Sequence, residues 1–314
     1  MIDKIRIYVR QAVHRDMLAK SQYIRKIASN TFLLYNVQRD HQLIITVTCN
    51  GTIIEGSWRK WYFGADSLKD LTPNEALRVL VKICVETKLD IRAMLGARLL
   101  TMEFGANFFL PIYASTIVKS MFRYSTFVTG KYETSVSFRG CDYWLSAYDK
   151  MAEINKRKRD RRELENQNNA NVLRIEMKVI KSTAFRNKMR GIETVRDVFR
   201  CYRLLISSFL NEIKKIDMSP INLVTDNVNF AGGNKKDLRQ YLMYHGMTQI
   251  GAEQTFKYIK ALDINKGAKT ELRKEIKKIF AEYEAQSPYH KSDFIDDVIR
   301  RQLAKKMNER IPRV

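Results

Sequence analysis

The chain has 314 residues, and its 56 Lys and Arg outnumber its 34 Asp and Glu, a formal charge of +22. Hydrophobic residues make up 45% and aromatics 11%, which excludes a wholly disordered chain and an acidic interaction protein. This length exceeds what one hydrophobic core usually fills, and this charge points to a polyanionic partner.

No run of about 18 apolar residues is present, so neither a membrane span nor a membrane partner is expected. The segment MIDKIRIYVR carries charges inside its apolar stretch and lacks a signal-peptide core. Cys49, Cys84, Cys141 and Cys201 are scattered and form no CxxC pair. That usage fits a reducing cytosol without disulfides or structural zinc.

In chain order, residues 2–10 alternate apolar and polar with a slip near the start and predict a strand. LIITVTCNGTIIE (43–55) reads as two β-branched runs around Asn50-Gly51, a hairpin signal. Thr72, Pro73 and Glu75 make an N-cap, a first helical residue and a capping box for a helix carrying Leu77, Leu80, Val81, Cys84 and Val85. RLLTMEF (98–104) predicts a strand, 113–124 a helix, and TSVSF–RGC–DYWLSAY (134–148) a second hairpin. Residues 152–168 are highly charged, NVLRIEMKVI (171–180) alternates as a strand, and 193–216 looks helical. The segment 217–236, with Pro220 and Gly232-Gly233, reads as a linker, and 237–314 carries four candidate helices. No internal repeat is evident. The expectation is an α+β domain over 1–216, with a mostly antiparallel sheet and helices packed on one face. A linker and a small all-helical C-terminal domain (237–314) then follow.

Three of these strands place chemistry on polar faces. Glu103 shares a face with Leu99 and Thr101, Glu176 lies between Arg174 and Lys178, and Trp144, Ser146 and Tyr148 share a face just before Asp149-Lys150. If the three strands are neighbours, two carboxylates, a phenol and a lysine converge. That set suits metal-assisted phosphoryl transfer through an attacking phenol. Taken singly, each Glu reads as solvated or as half of a cross-strand ion pair, and Tyr148 as a packing residue.

The pieces GSWRKWYFG (56–64), LLTMEFGANF (99–108), YWLSAYDK (143–150), NVLRIEMKV (171–179) and GIETVRDVF (191–199) carry a resemblance. In wording and order they resemble the rolling-circle replication initiators of the filamentous-phage gene II type, especially relatives in Bacteroidetes plasmids and phages. The resemblance implies a nickase-like core of the kind built around paired histidines. It also implies a protein that cuts one origin strand through a tyrosine, stays linked to the 5′ phosphate and frees a 3′-OH primer. Tyr148 matches the nucleophile position, Lys150 would stabilise charge at the scissile phosphate, and Glu103 and Glu176 would be the metal ligands. Single-stranded and duplex origin DNA are the implied partners, with host helicase and polymerase behind them.

The chain departs from the pattern in one respect. Many such nickases hold the metal with two histidines one residue apart. Here only His14, His41, His245 and His290 occur; the first two read as surface residues and the last two lie in the helical tail. Arg59 also stands where relatives are expected to carry His. A carboxylate site would favour Mg²⁺ or Mn²⁺.

Two segments read as DNA contacts. NKRKRDRR (155–162) offers Lys156, Arg157, Lys158, Arg159, Arg161 and Arg162, or else forms a solvated helix face paired with Glu153, Glu163 and Glu165. Trp58, Arg59, Lys60, Trp61 and Tyr62 mix rings with cations, as stacking on unpaired bases requires, or else form a strand end with the Trp packed in the core. The tail helices could bind duplex DNA or self-associate. The resulting expectation is an initiator endonuclease. The alternatives are a non-catalytic origin- or operator-binding protein and, further off, an RNA-binding structural protein.

Overall fold

The computed structural model describes residues 1–18, 20–38, 40–110, 113–160, 171–181, 191–218, 239, 242–243, 246–247, 252–286 and 298–312. Most of the expected linker, Arg161, Arg162, His245 and His290 lie outside the described residues, as does the side chain of Arg159.

The alternating segments form β1 (Ile2–Val9), β2 (Ile24–Ala28), β3 (Thr31–Tyr35), β4 (Gln42–Thr48), β5 (Gly51–Ser57) and β6 (Arg98–Phe109). Beyond these come β7 (Met121–Tyr124), β8 (Val128–Lys131), β9 (Ser135–Arg139), β10 (Tyr143–Asp149), β11 (Val172–Val179) and β12 (Ile216–Met218). Ten of them make one sheet in the order β2-β3-β4-β5-β1-β6-β11-β10-β9-β8, antiparallel throughout, while β7 and β12 pair separately. The slip read near the start of β1 is real: the β1–β6 register shifts between Ile2 and Ile5, so Ile2 and Asp3 are both buried before alternation resumes at Ile5, Ile7 and Val9.

The order holds a repeat that the sequence hides. From the centre outward, one half runs β1-β5-β4-β3-β2 and the other β6-β11-β10-β9-β8. Each half begins with its central strand, then starts again at the outer edge (β2, β8) and lays the later strands inward until β5 and β11 pair with the central ones. The central strands β1 and β6 are themselves antiparallel. The strand order is therefore the same read outward from either central strand. Alternation alone survives in the sequence of the two halves, so no repeat can be read there.

The helices are α1 (Arg15–Leu18), α2 (Trp58–Phe63), α3 (Pro73–Thr87), α4 (Ile91–Leu95), α5 (Ala114–Ser120), α6 (Lys150–Asp160), α7 (Val195–Arg200), α8 (Tyr202–Lys214), α9 (Ala252–Ala261), α10 (Lys266–Gln286) and α11 (Arg301–Met307). The capping box expected before α3 is present, with the Thr72 hydroxyl accepting from the Glu75 N–H and the Glu75 carboxylate accepting from the Thr72 N–H. The helix expected over 193–216 breaks at Cys201 into α7 and α8, and that over 113–124 stops at Ser120 and continues as β7. On one face of the sheet, Met102, Phe104, Ala106 and Phe108 are buried with the inner faces of α3, α5 and α8 in one core. Phe104 meets Phe209 and Tyr202 of α8 edge-on, with ring centroids 5.8 and 6.2 Å apart. The opposite face carries the polar members of the central strands, Glu103 and Asn107 of β6, Arg174, Glu176 and Lys178 of β11, and Ser146 and Tyr148 of β10.

The expected C-terminal helical region divides. Met247, Ile259, Ile276 and Ile279 form a small core around α9 and α10, to which Phe122 of β7 contributes. Val298, Ile299 and Leu303, around α11, join the main core instead, with Met307 packed against it. Among the described residues no helix is long and apolar enough to cross a membrane.

Candidate active site

The three strands of interest are neighbours. Row by row across the open face, Ser135, Tyr148, Arg174 and Asn107 lie abreast, then Ser137, Ser146, Glu176 and Gly105, then Arg139, Trp144, Lys178 and Glu103. Leu145 and Ala147 point into the core, so Trp144, Ser146 and Tyr148 face outward as the alternation implied. Tyr148 is the penultimate residue of β10. The next residue, Asp149, accepts the N–H groups of Met151 and Ala152 at 3.0 Å each and so starts α6.

Tyr148, Glu176 and Glu103 converge on one cleft of about 320 Å³, whose wall also includes Asp3, His41, Ser57 and Lys60. The Tyr148 hydroxyl donates to Glu176 Oε1 at 3.1 Å. The same oxygen accepts from Arg174 Nε. Gly105 makes this possible. A Cβ there would lie 2.6 Å from the Ile175 carbonyl oxygen and 2.8 Å from Glu176 Cγ, so the Glu176 side chain crosses a strand that has none.

Arg174 is the centre of a buried charge network. Its guanidinium is fully buried and donates to Asp3, to Asp70 Oδ1 at 3.2 Å, to Asn107 Oδ1 at 3.0 Å and to Glu176. Asp3 also accepts from Ser57 Oγ and from Arg59 Nε, the latter at 3.2 Å. Asp70 Oδ2 pairs with Lys306 of α11 at 2.7 Å. Burial alone would raise both Asp carboxyls, but Arg174 and Arg59 at Asp3, and Lys306 and Arg174 at Asp70, outweigh it and hold both below the usual range.

The cleft groups are shifted the other way. Burial and the neighbouring Glu176 charge raise Glu103, against the pull of Lys178 at 3.1 Å. Burial, then Glu176, raises the Tyr148 phenol well above its ordinary value, so it is protonated at neutral pH. Burial, then Lys60, lowers His41, so its imidazole is neutral there.

Several expected residues fall elsewhere. Lys150 does not reach the cleft. It is fully buried, pairs with Glu153 and sits 5.7 Å from the centre of the Tyr148 ring; burial lowers its ammonium to about 8. Trp58, Arg59 and Trp61 are not a surface for bases. The segment is the helix α2, capped by Ser57, and both rings are buried, with Trp61 Nε1 donating to the Leu34 carbonyl. Arg59 is spent on Asp3 and the Ser67 carbonyl. Of that group only Lys60 lines the cleft. In α6, Lys156 is exposed and Lys158 half-buried, whereas Arg157 is tied to Glu153, Asp66 and the Ala65 carbonyl.

Sequence reasoning missed Asp3, Asp70, Asn107 and His41. His41 has no partner at metal-ligand spacing, and the other three are isolated polar residues whose role exists only once Arg174 is placed among them. Among the described residues no three His, Cys, Asp or Glu side chains are arranged to hold a metal ion. The donor set still fits Mg²⁺ or Mn²⁺ in one way. Two crowded carboxylates, Glu103 and Glu176, open on a cleft, and Mg²⁺ is commonly held by one or two carboxylates with water and phosphate as the other ligands. No protein-family model and no curated protein matches the chain.

Proposed function

We propose that the protein is a cytoplasmic rolling-circle initiator of the gene II type that nicks single-stranded origin DNA through Tyr148. One observation carries the reading: the Tyr148 hydroxyl hydrogen-bonds Glu176 Oε1 at 3.1 Å in an open cleft that also holds Glu103. A phenol raised by burial needs a base to take its proton as it attacks. Glu176 is in place to do so. As the Tyr148 oxygen bonds to phosphorus, the phenolic proton passes to Glu176. The bond from phosphorus to the 3′ oxygen breaks, and that oxygen leaves as the 3′-OH, taking up through water the proton that Glu176 gives back. Arg174 holds Glu176 in position and Lys60 lies on the cleft wall beside the entering phosphate. Glu103 and Glu176 would hold the Mg²⁺ or Mn²⁺ ion, which when bound polarises a phosphate oxygen.

A 3′-labelled random single-stranded DNA library incubated with the protein and Mn²⁺ tests this. Wild type is expected to yield a labelled covalent adduct on a denaturing gel, and Tyr148→Phe none. An adduct that persists in Tyr148→Phe removes the nucleophile assignment.

A specific observation supports a second reading, a non-catalytic origin- or operator-binding protein. Glu103 and Glu176 are already paired with Lys178 and Arg174. That reading predicts salt-sensitive DNA binding with no adduct under any divalent metal.

A further inference from the structure

Trp144 stands on the open face two rows from Tyr148, on the same strand and the same side. Four residue steps along the strand separate the two, roughly 13 Å. Arg139 of β9 and Lys178 of β11, its direct neighbours on either side, lie 5.2 and 5.5 Å from its ring centre. Trp58 and Trp61 are buried, so Trp144 alone of the three tryptophans meets solvent. Lys178 is balanced by Glu103, but Arg139 is exposed and forms no ion pair with any described carboxylate. A partly exposed indole between two cations combines a stacking surface with phosphate-binding charge. The packing of the sheet does not require it, because the core lies on the other face.

We propose that Trp144 is a stacking platform for an unpaired base, and that Arg139 and Lys178 hold the adjoining phosphates. The occupant is single-stranded DNA running across the open face toward Tyr148. The base takes the place of the Arg139 guanidinium over the ring, and the guanidinium turns to the backbone. The platform sets how many nucleotides separate the held base from the phosphate presented to the cleft. The direction of the strand rests on the nickase reading, whereas the platform itself does not.

The test uses the full chain and a labelled oligothymidylate in EDTA, where no cutting occurs. Added oligonucleotide is expected to quench the intrinsic fluorescence of wild type, and Trp144→Phe to lose that quench while binding within a fewfold of wild type. Trp144→Ala is expected to weaken binding roughly 10- to 100-fold. Arg139→Gln should lower the slope of log affinity against log salt by about 1. Quenching that persists in Trp144→Phe, undiminished binding by Trp144→Ala, or no binding by wild type each overturns the platform. The nickase reading fails on a different result, the absence of any wild-type adduct with Mn²⁺. A wild-type adduct together with full binding by Trp144→Ala would leave the nickase and remove the platform.

Discussion

Replacing Arg174 with Met removes the one cation shared by Asp3, Asp70 and Glu176. Losing one partner of a buried ion pair costs about 3–5 kcal/mol, because the other charge stays buried without compensation. The cost here falls at the low end, about 3 kcal/mol, because Asp3 keeps Arg59 at 3.2 Å and Asp70 keeps Lys306 at 2.7 Å. Glu176 keeps only the Tyr148 phenol among these partners, so the cleft side loses most order. The pH dependence carries a definite sign. Asp3 and Asp70 are held below the ordinary carboxyl range, so their pairing contributes stability fully above about pH 5 and loses it as pH falls through their lowered values. Without Arg174 both carboxyls rise and that contribution shrinks. Urea unfolding of wild type and Arg174→Met should therefore differ by about 3 kcal/mol at neutral pH, and by less at about pH 4. A neutral-pH difference under about 1 kcal/mol, or a difference that widens on acidification, would refute the view that Arg174 neutralises buried acids.

Two further substitutions probe the surroundings. Gly105→Ala sets a Cβ 2.6 Å from the Ile175 carbonyl oxygen; it should cost about 1–3 kcal/mol in urea unfolding and reduce adduct yield by pushing Glu176 off Tyr148, and unchanged values would refute the close approach. Burial lowers Lys150 to about 8, so unfolding takes up a proton between that value and the ordinary lysine range, and wild-type stability should rise with pH across that window. Lys150→Met should abolish the rise, as urea midpoints at about pH 7.5 and 9.5 would reveal.

What the sequence disclosed depended on whether the cause was local. The Thr72 capping box and the alternation in β1, β10 and β11 involve residues a few positions apart, and each appears where expected. The hairpin at Asn50-Gly51 also formed, but for a different reason. Its connecting residues are Cys49 and Asn50, Gly51 opens β5, and a Cβ on Gly51 would lie 2.3 Å from the Val9 carbonyl oxygen. The glycine answers a close approach of β1 rather than a turn needing positive φ. The misreading of Trp58 to Trp61 had a remedy in the sequence. Rings at i and i+3 share one face of a helix, and Ser57 with Gly64 bracket it, so spacing outranks the mixture of rings and cations. Arg174 had no such remedy. It was read as outward-facing, which is correct for its strand, yet it is buried because residues 3, 70 and 107 arrive from elsewhere in the chain.

The cleft and its surroundings separate two tasks that the net charge alone would merge. Around Tyr148 the acids Asp3, Asp70, Glu103, Glu153 and Glu176 are matched by Arg59, Lys150, Arg174, Lys178 and Lys306. These paired groups cancel one another inside a chain of +22. The excess positive charge lies outside these pairs, on exposed positions such as Arg139 and Lys156, and under the proposed function it is this charge that draws a polyanion. Exposed charges are screened by salt and buried pairs much less so. Under the proposed function, grip on DNA and geometry at the phenol are therefore set by different residues, and the surface charge can vary without disturbing the hydrogen bond between Tyr148 and Glu176. A uniformly cationic cleft would bind phosphate more tightly, but it would hold Glu176 by competing partners and leave little room for a divalent ion. If the proposed function holds, this balance of charge leaves Glu176 available to the Tyr148 phenol.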